Sequence, residues 1–209
     1  MGRVSSLYVI IDPEACRGRP PVEVARLALE GGASVVQWRD KRRDKGDQID
    51  DAGSVRDLCR RHGALFIVND HADLAWAVEA DGVHLGQRDL PAALVRRMLP
   101  DAVIGVSTNN VDEARRAVAD GATYVAVGSV FPTRSKETTR PADPARVRDV
   151  KAAVAVPVVA IGGIDLSNVD LVIEAGADAA AVISAVCGAD DPKAAAQALA
   201  LRFERARRP

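Results

Sequence analysis

The chain has 209 residues, 48% of them hydrophobic and 27% charged, with a formal net charge of -1. This composition excludes a disordered or fibrous protein, and near-neutrality argues against a general nucleic-acid binder, which is normally basic. Nowhere is there an uncharged apolar stretch of the roughly 18 residues that a membrane span needs, so no membrane partner is expected. The only early apolar run, residues 7–11, is too short for a secretory signal. Cys16, Cys59 and Cys187 are odd in number, far apart and in no metal-ligand spacing, and read as reduced thiols of a cytoplasmic protein.

The organising pattern is short apolar runs, mostly rich in Val and Ile, alternating with longer amphipathic ones. Residues 7–11 predict a strand that stops at Asp12-Pro13-Glu14. A helix over 22–30 ends in Glu30-Gly31-Gly32-Ala33, where glycine can take the left-handed conformation that stops a helix, and a strand over 34–38 follows. A helix over 48–62 leads to a strand over 65–68, and strands over 82–85 and 103–106 flank a helix over 91–98. The helix over 111–120 ends in Asp120-Gly121-Ala122 before a strand over 124–127. A helix over 143–153 precedes a strand over 158–161, and Glu174-Ala175-Gly176-Ala177 marks the next stop before a strand over 179–183. Residues 191–205 make the last helix, and Pro91 and Pro192 each suit a first helical turn. The arginines that close the chain (Arg202, Arg205, Arg207, Arg208) suit the C-terminal dipole of a solvated helix better than a nucleic-acid tail.

Strand, helix, glycine stop and strand again is the βαβ unit, whose crossover makes neighbouring strands parallel. Repeated with no linker or low-complexity tract, it predicts one α/β domain over residues 1–209, a (β/α)8 TIM barrel. Such barrels run to about 250 residues, so the loops here must be short. An open doubly wound sheet is the alternative, but Asp12-Pro13-Glu14 stands where its Gly-x-Gly-x-x-Gly turn belongs.

A barrel's chemistry sits at the C-terminal ends of its strands, and the unusual polar residues fall there. After strand two, a period of two puts Gln37, Arg39 and Lys41 on one face and Val36 and Trp38 on the other. Two cations and an amide suit a polyanion such as a diphosphate, although the run Lys41-Arg42-Arg43-Asp44-Lys45 also fits a solvated loop. Asp70 and Asp89 follow strands three and four. Either alone reads as a helix cap, while together, facing the strand-two cations, they suit Mg2+, which takes one or two carboxylates plus phosphate oxygens. His84 reads as a satisfied core residue. Ser107 and Thr108 offer hydroxyls after strand five, and Thr133, Ser135 and Lys136 follow strand six. Lysine is rare here (Lys41, Lys45, Lys136, Lys151 and Lys193 only), so Lys41 and Lys136 hint that a compact ammonium is wanted at the rim. Gly162-Gly163 and Ile183-Ser184 close strands seven and eight, the recurrent phosphate seat of barrels, though two glycines also make a plain tight turn.

Together these segments resemble the thiamine-phosphate synthase family. The matching stretches are Gln37-Trp38-Arg39-Asp40-Lys41, Asn69-Asp70, Asp81-Gly82-Val83-His84-Leu85-Gly86-Gln87 with Asp89, Ile104-Gly105-Val106-Ser107-Thr108, Phe131-Pro132-Thr133 with Lys136, Ala160-Ile161-Gly162-Gly163-Ile164 and Val182-Ile183-Ser184-Ala185. They recur in family order over nearly the whole chain. The resemblance implies condensation of 4-amino-2-methyl-5-hydroxymethylpyrimidine diphosphate with a thiazole phosphate, or its carboxylated tautomer, to give thiamine phosphate and pyrophosphate. It implies dissociative substitution: the bond to diphosphate breaks first, and the thiazole nitrogen captures the pyrimidine methyl cation.

Carried over by position, Gln37, Arg39, Asp40, Lys41 and Asn69 would hold the pyrimidine diphosphate, and Asp70 and Asp89 would bind Mg2+. Ser107 and Lys136 would contact the diphosphate, so that Arg39, Lys41, Ser107 and Lys136 form the catalytic set. Thr133, Arg134 and Ser135 would meet the thiazole, and Gly163, Ile183 and Ser184 would seat its phosphate. The chain departs from the family pattern at Asn109 (usually His), Ser129 (Pro), Trp38 (often Leu) and Ile11 (often Thr), none of them a proposed metal or diphosphate ligand. The partners are small phosphorylated substrates. The sequence leaves the oligomeric state open, with a homodimer as the assembly considered. Rival readings are a thiazole tautomerase, a phosphate-binding paralogue or sensor without activity, and another phosphate-binding barrel isomerase.

Overall fold

The computed structural model describes residues 4–132 and 144–206. Eight parallel strands form a closed barrel in sequence order: β1 (Ser6–Ile11), β2 (Val35–Trp38), β3 (Leu65–Asn69), β4 (Gly82–Leu85), β5 (Val103–Thr108), β6 (Tyr124–Gly128), β7 (Val158–Ile161) and β8 (Ala179–Val182). β8 pairs with β1 to close the ring, with Tyr8 opposite Ala181 and Val9 opposite Val182. Closure leaves no edge strand, which an open doubly wound sheet would have had.

The crossovers carry α1 (Pro21–Glu30), α2 (Lys45–His62), α3 (Ala72–Ala77), α4 (Ala92–Met98), α5 (Val111–Ala119), α6 (Pro144–Ala153) and α7 (Val169–Glu174), with α8 (Ser184–Cys187) and α9 (Pro192–Ala206) after β8. Pro21 and Pro192 open α1 and α9, where a missing N–H costs nothing. Pro91 stands one residue before α4, as its N-cap. The Asn110 side chain accepts from the Glu113 N–H at 2.9 Å and caps α5. Gly32, Gly121 and Gly176 take positive φ at the predicted helix stops.

Several boundaries differ from the sequence expectation, the largest at α2, which begins at Lys45 rather than at residue 48. β3, β5 and β6 run past their apolar cores because Asn69, Ser107, Thr108 and Gly128 stay in register with the neighbouring strand. β8 ends one residue early because Ile183 turns to cap α8. α3 and α8 are too short, at 6 and 4 residues, for a helical period to stand out in the sequence.

Strand alternation divides the apolar residues into two layers. Leu7, Val9, Ile11, Val36, Trp38, Phe66 and Val68 pack outward against the helices. Tyr8, Ile10, Val35, Leu65, Ile67, Val103, Tyr124 and Val159 fill the barrel with the small Ala126, Ala179 and Ala181. Burying each large apolar side chain contributes about 1.5–3 kcal/mol, so the outer layer holds the helices and the inner one plugs the barrel. Among the described residues no helix is long and apolar enough to cross a membrane.

Candidate active site

Above the apolar plug the barrel interior turns polar. Gln37 Nε2 donates to the Tyr8 hydroxyl at 2.7 Å, and the Tyr8 and Tyr124 hydroxyls are 3.0 Å apart. Tyr124 Oη lies 3.0 Å from His84 Nδ1, and His84 Nε2 lies 2.9 Å from Ser107 Oγ. The chain of contacts crosses the barrel from β2 to β5, almost wholly out of water: Tyr124 is 0% exposed, Tyr8 1% and Gln37 2%. Burial pushes both phenols far above their ordinary pKa and keeps them protonated, even though the Gln37 amide donating to Tyr8 pulls the other way there. Room for the two rings comes from small partners. Tyr8 pairs with Ala181, and Tyr124 with Gly105.

At the mouth, β2 ends at Trp38, and Arg39 N–H donates to the Ile11 carbonyl at 3.0 Å, holding Arg39 against the end of β1. Its guanidinium pairs with the buried carboxylate of Asp12, which also accepts from the Glu14 N–H at 3.1 Å. Asp12 thus fixes the direction of Arg39. Lys41 Nζ lies 3.3 Å from Asp70 Oδ2. Asp70 has φ of +61°, and its N–H donates to the His84 carbonyl at 2.8 Å, which turns the carboxyl toward the loop after β4. There it meets the Asp89 carboxyl, whose Oδ2 accepts from the Gly86 N–H at 2.6 Å. Neither α3 nor α4 has a side-chain cap, so both carboxylates are spared for each other. Burial first, and then the neighbouring Asp89, lift Asp70 above the usual carboxylate range despite Lys41.

Two carboxyls meeting in a partly dry place repel unless one keeps its proton or a cation lies between them, and their donors are all hard oxygen. That fits Mg2+. Among the described residues no group of three or more His, Cys, Asp and Glu side chains could hold a metal, so these two carboxyls would leave most of a cation's coordination to other oxygen donors.

Asp40, grouped with the substrate ligands by its place in the sequence, faces the other way. Its Oδ1 accepts from the Arg42 and Arg43 N–H groups at 2.9 and 3.2 Å, and its Oδ2 from Arg43 Nε at 2.6 Å. Although burial works against ionisation, these donors hold Asp40 below the usual carboxylate range. The Arg43 guanidinium sits 5.7 Å over the Trp38 ring, and Trp38 Nε1 donates to Gln48 Oε1 at 3.0 Å. Asp40, Arg43, Trp38 and Gln48 therefore brace the loop that presents Lys41. The correction follows from the period of two, which puts Asp40 on the Trp38 face.

Directly after β7, Gly162 and Gly163 have φ of +103° and +63°. A Cβ on Gly162 would stand 2.7 Å from Ser129 Cα, and one on Gly163 would stand 2.5 Å from the Pro132 carbonyl oxygen. The glycines thus allow the loop after β6 to lie close. Ile183 caps α8, whose first turn, beginning at Ser184, opens beside β7. Asn69 closes β3 in register with His84. At the variant position Asn109, the backbone N–H and Nδ2 both donate to Glu113 Oε2 at 2.7 and 2.9 Å. Thr133, Arg134, Ser135 and Lys136 lie outside the described residues.

Sequence reasoning missed Asp12, Tyr8 and Tyr124. The one signal for Asp12 was a charged residue directly after an apolar strand. The tyrosines, inside apolar runs, gave none.

The thiamine monophosphate synthase family model matches residues 7–186. The chain is 48% identical to the thiamine-phosphate synthase of Moorella thermoacetica, over 96% of this chain and 97% of that one. It is 47% identical to the thiamine-phosphate synthase of Chloroflexus aurantiacus, over 92% and 90%. The solved thiamine phosphate pyrophosphorylase from Pyrococcus furiosus superposes with a TM-score of 0.90 at 40% identity, covering 97% of each chain. With a closed barrel, a paired-carboxylate rim and likeness over nearly its full length, the chain belongs to the thiamine monophosphate synthase family.

Proposed function

We propose that this chain joins the aminopyrimidine diphosphate to the thiazole phosphate, releasing pyrophosphate and forming thiamine phosphate. The observation that carries this reading is the meeting of Lys41, Asp70 and Asp89 at the same barrel mouth as Arg39. A departing diphosphate develops charge that fixed cations stabilise, and the thiazole nitrogen brings its own lone pair, so no strong general base is required.

Arg39, aimed by Asp12, and Lys41 would face the leaving diphosphate with Ser107 and Lys136. Gln37 and Asn69 would hold the pyrimidine. Asp70 and Asp89 would hold Mg2+, which when bound would neutralise diphosphate charge. Thr133, Arg134 and Ser135 would meet the thiazole, whose phosphate would take backbone N–H groups of Gly163, Ile183 and Ser184. We place the enzyme in the cytoplasm, in keeping with three buried free thiols at Cys16, Cys59 and Cys187.

Both substrates supplied with Mg2+ should yield thiamine phosphate and pyrophosphate in equal amounts, and excess chelator should stop both. A tautomerase would release no pyrophosphate, and a sensor would turn nothing over. Full turnover in chelator would refute the metal role.

A further inference from the structure

Gln37, Tyr8, Tyr124, His84 and Ser107 form one hydrogen-bonded chain across the barrel, and its polarity can be counted. Each phenol is a single donor, and neutral imidazole has one donor and one acceptor nitrogen. With Gln37 Nε2 donating to Tyr8, every phenol proton finds an acceptor when Tyr8 donates to Tyr124 and Tyr124 donates to His84 Nδ1. In that polarity His84 carries its proton on Nε2 and offers it to Ser107 Oγ, 2.9 Å away. Ser107 accepts this bond and keeps its own hydrogen for donation. The opposite polarity would reverse every link, turn the Gln37 amide over, and leave Ser107 facing the mouth with lone pairs only.

We infer that Tyr8, Tyr124 and His84 are positioning residues that couple the two ends of the site: the chain that makes Ser107 a donor to the diphosphate also makes Gln37 Oε1 an acceptor for the pyrimidine. The inference rests on the synthase reading for the identity of the substrate. An anion needs the donor polarity at Ser107, because lone pairs facing phosphate oxygens repel. The same polarity commits Gln37 Nε2 to Tyr8, so Oε1 remains to meet a substrate amine. The barrel thereby selects an aminopyrimidine over an oxo analogue, whose carbonyl would face a second acceptor. Burial gives the selection force, since a mispaired polar group out of water is costly.

The first test needs no substrate. In the whole protein at neutral pH, nitrogen-15 long-range NMR, with the signals assigned by comparison to His84→Gln, should show His84 as the Nε2–H tautomer. An Nδ1–H tautomer or an imidazolium would overturn the polarity. The second test compares kcat and KM for the aminopyrimidine diphosphate and its oxo analogue. In Tyr124→Phe the Tyr8 proton loses its acceptor, and the relation is repaired by turning Gln37 over to offer Oε1 to Tyr8. KM for the amino substrate should rise about 10-fold, kcat should change much less, and preference should shift about 10-fold or more toward the oxo analogue. Tyr8→Phe, which frees Gln37 without inverting it, should narrow the preference without reversing it. An equal change for both pyrimidines in Tyr124→Phe, or no change, would overturn the coupling. If wild-type protein makes no product, the synthase reading fails, while the tautomer still decides the polarity of the chain.

Discussion

Asp70→Asn is expected to lower pyrophosphate release by about 100- to 1,000-fold while the protein stays folded. The substitution keeps the size of the side chain and removes one of the two charges that would hold the cation. It also relieves a cost. Asp70 sits above the usual carboxylate range, chiefly through burial and then through Asp89, so the fold binds its proton more tightly than the unfolded chain does. Stability from that group is present below the ordinary carboxylate pKa and is lost as pH rises through the raised value, so at neutral pH the ionised form works against the fold. The neutral amide gives up the ion pair with Lys41 but escapes this penalty. The melting temperature measured in chelator should therefore hold or rise. Turnover near the wild-type rate would remove Asp70 from the metal site, and collapse of the fold would show that its charge is needed for packing.

Gly105→Ala should cost about 3 kcal/mol, the upper end for overpacking a core. A Cβ at this position would overlap the Tyr124 ring and hydroxyl. The ring has little room to retreat. Its hydroxyl is held by Tyr8 and His84, its plane lies at 28° to the His84 ring at 5.6 Å, and it is 0% exposed. For a chain of this size the melting temperature should fall by about 6–12 °C. A fall of 1 °C or less would mean that the inner layer repacks freely and that Tyr124 is not fixed where it stands.

The barrel was legible because its strands are short apolar runs, three of them entered directly from a glycine helix stop, repeated along a chain with no linker. The inward aim of Gln37 and the outward packing of Trp38 followed from a period of two, because Val35 and Val36 on the same strand take opposite layers. What stayed hidden depends on pairing across long sequence distance. His84 read as a core residue with its needs met, and it does have partners in Tyr124 and Ser107, 40 and 23 residues away. Nothing local to Asp81-Gly82-Val83-His84-Leu85 names them. Asp12 read as a break in the first strand because its partner, Arg39, lies 27 residues on. Asp40 misled for the opposite reason: it stands between Arg39 and Lys41 in sequence, and the strand geometry that separates their side chains outweighs adjacency. The two glycines after β7 left a phosphate seat and a plain tight turn both open, and a Cβ on either would meet the chain's own Ser129 or Pro132.

The most direct measurement is calorimetric titration of the aminopyrimidine diphosphate into the protein, once with Mg2+ and once with excess chelator. Binding at one site per chain that weakens at least about 10-fold when the metal is withdrawn is the expected result. Equal affinity under both conditions would contradict a mouth at which Asp70, Asp89, Arg39 and Lys41 hold a metal-bound diphosphate.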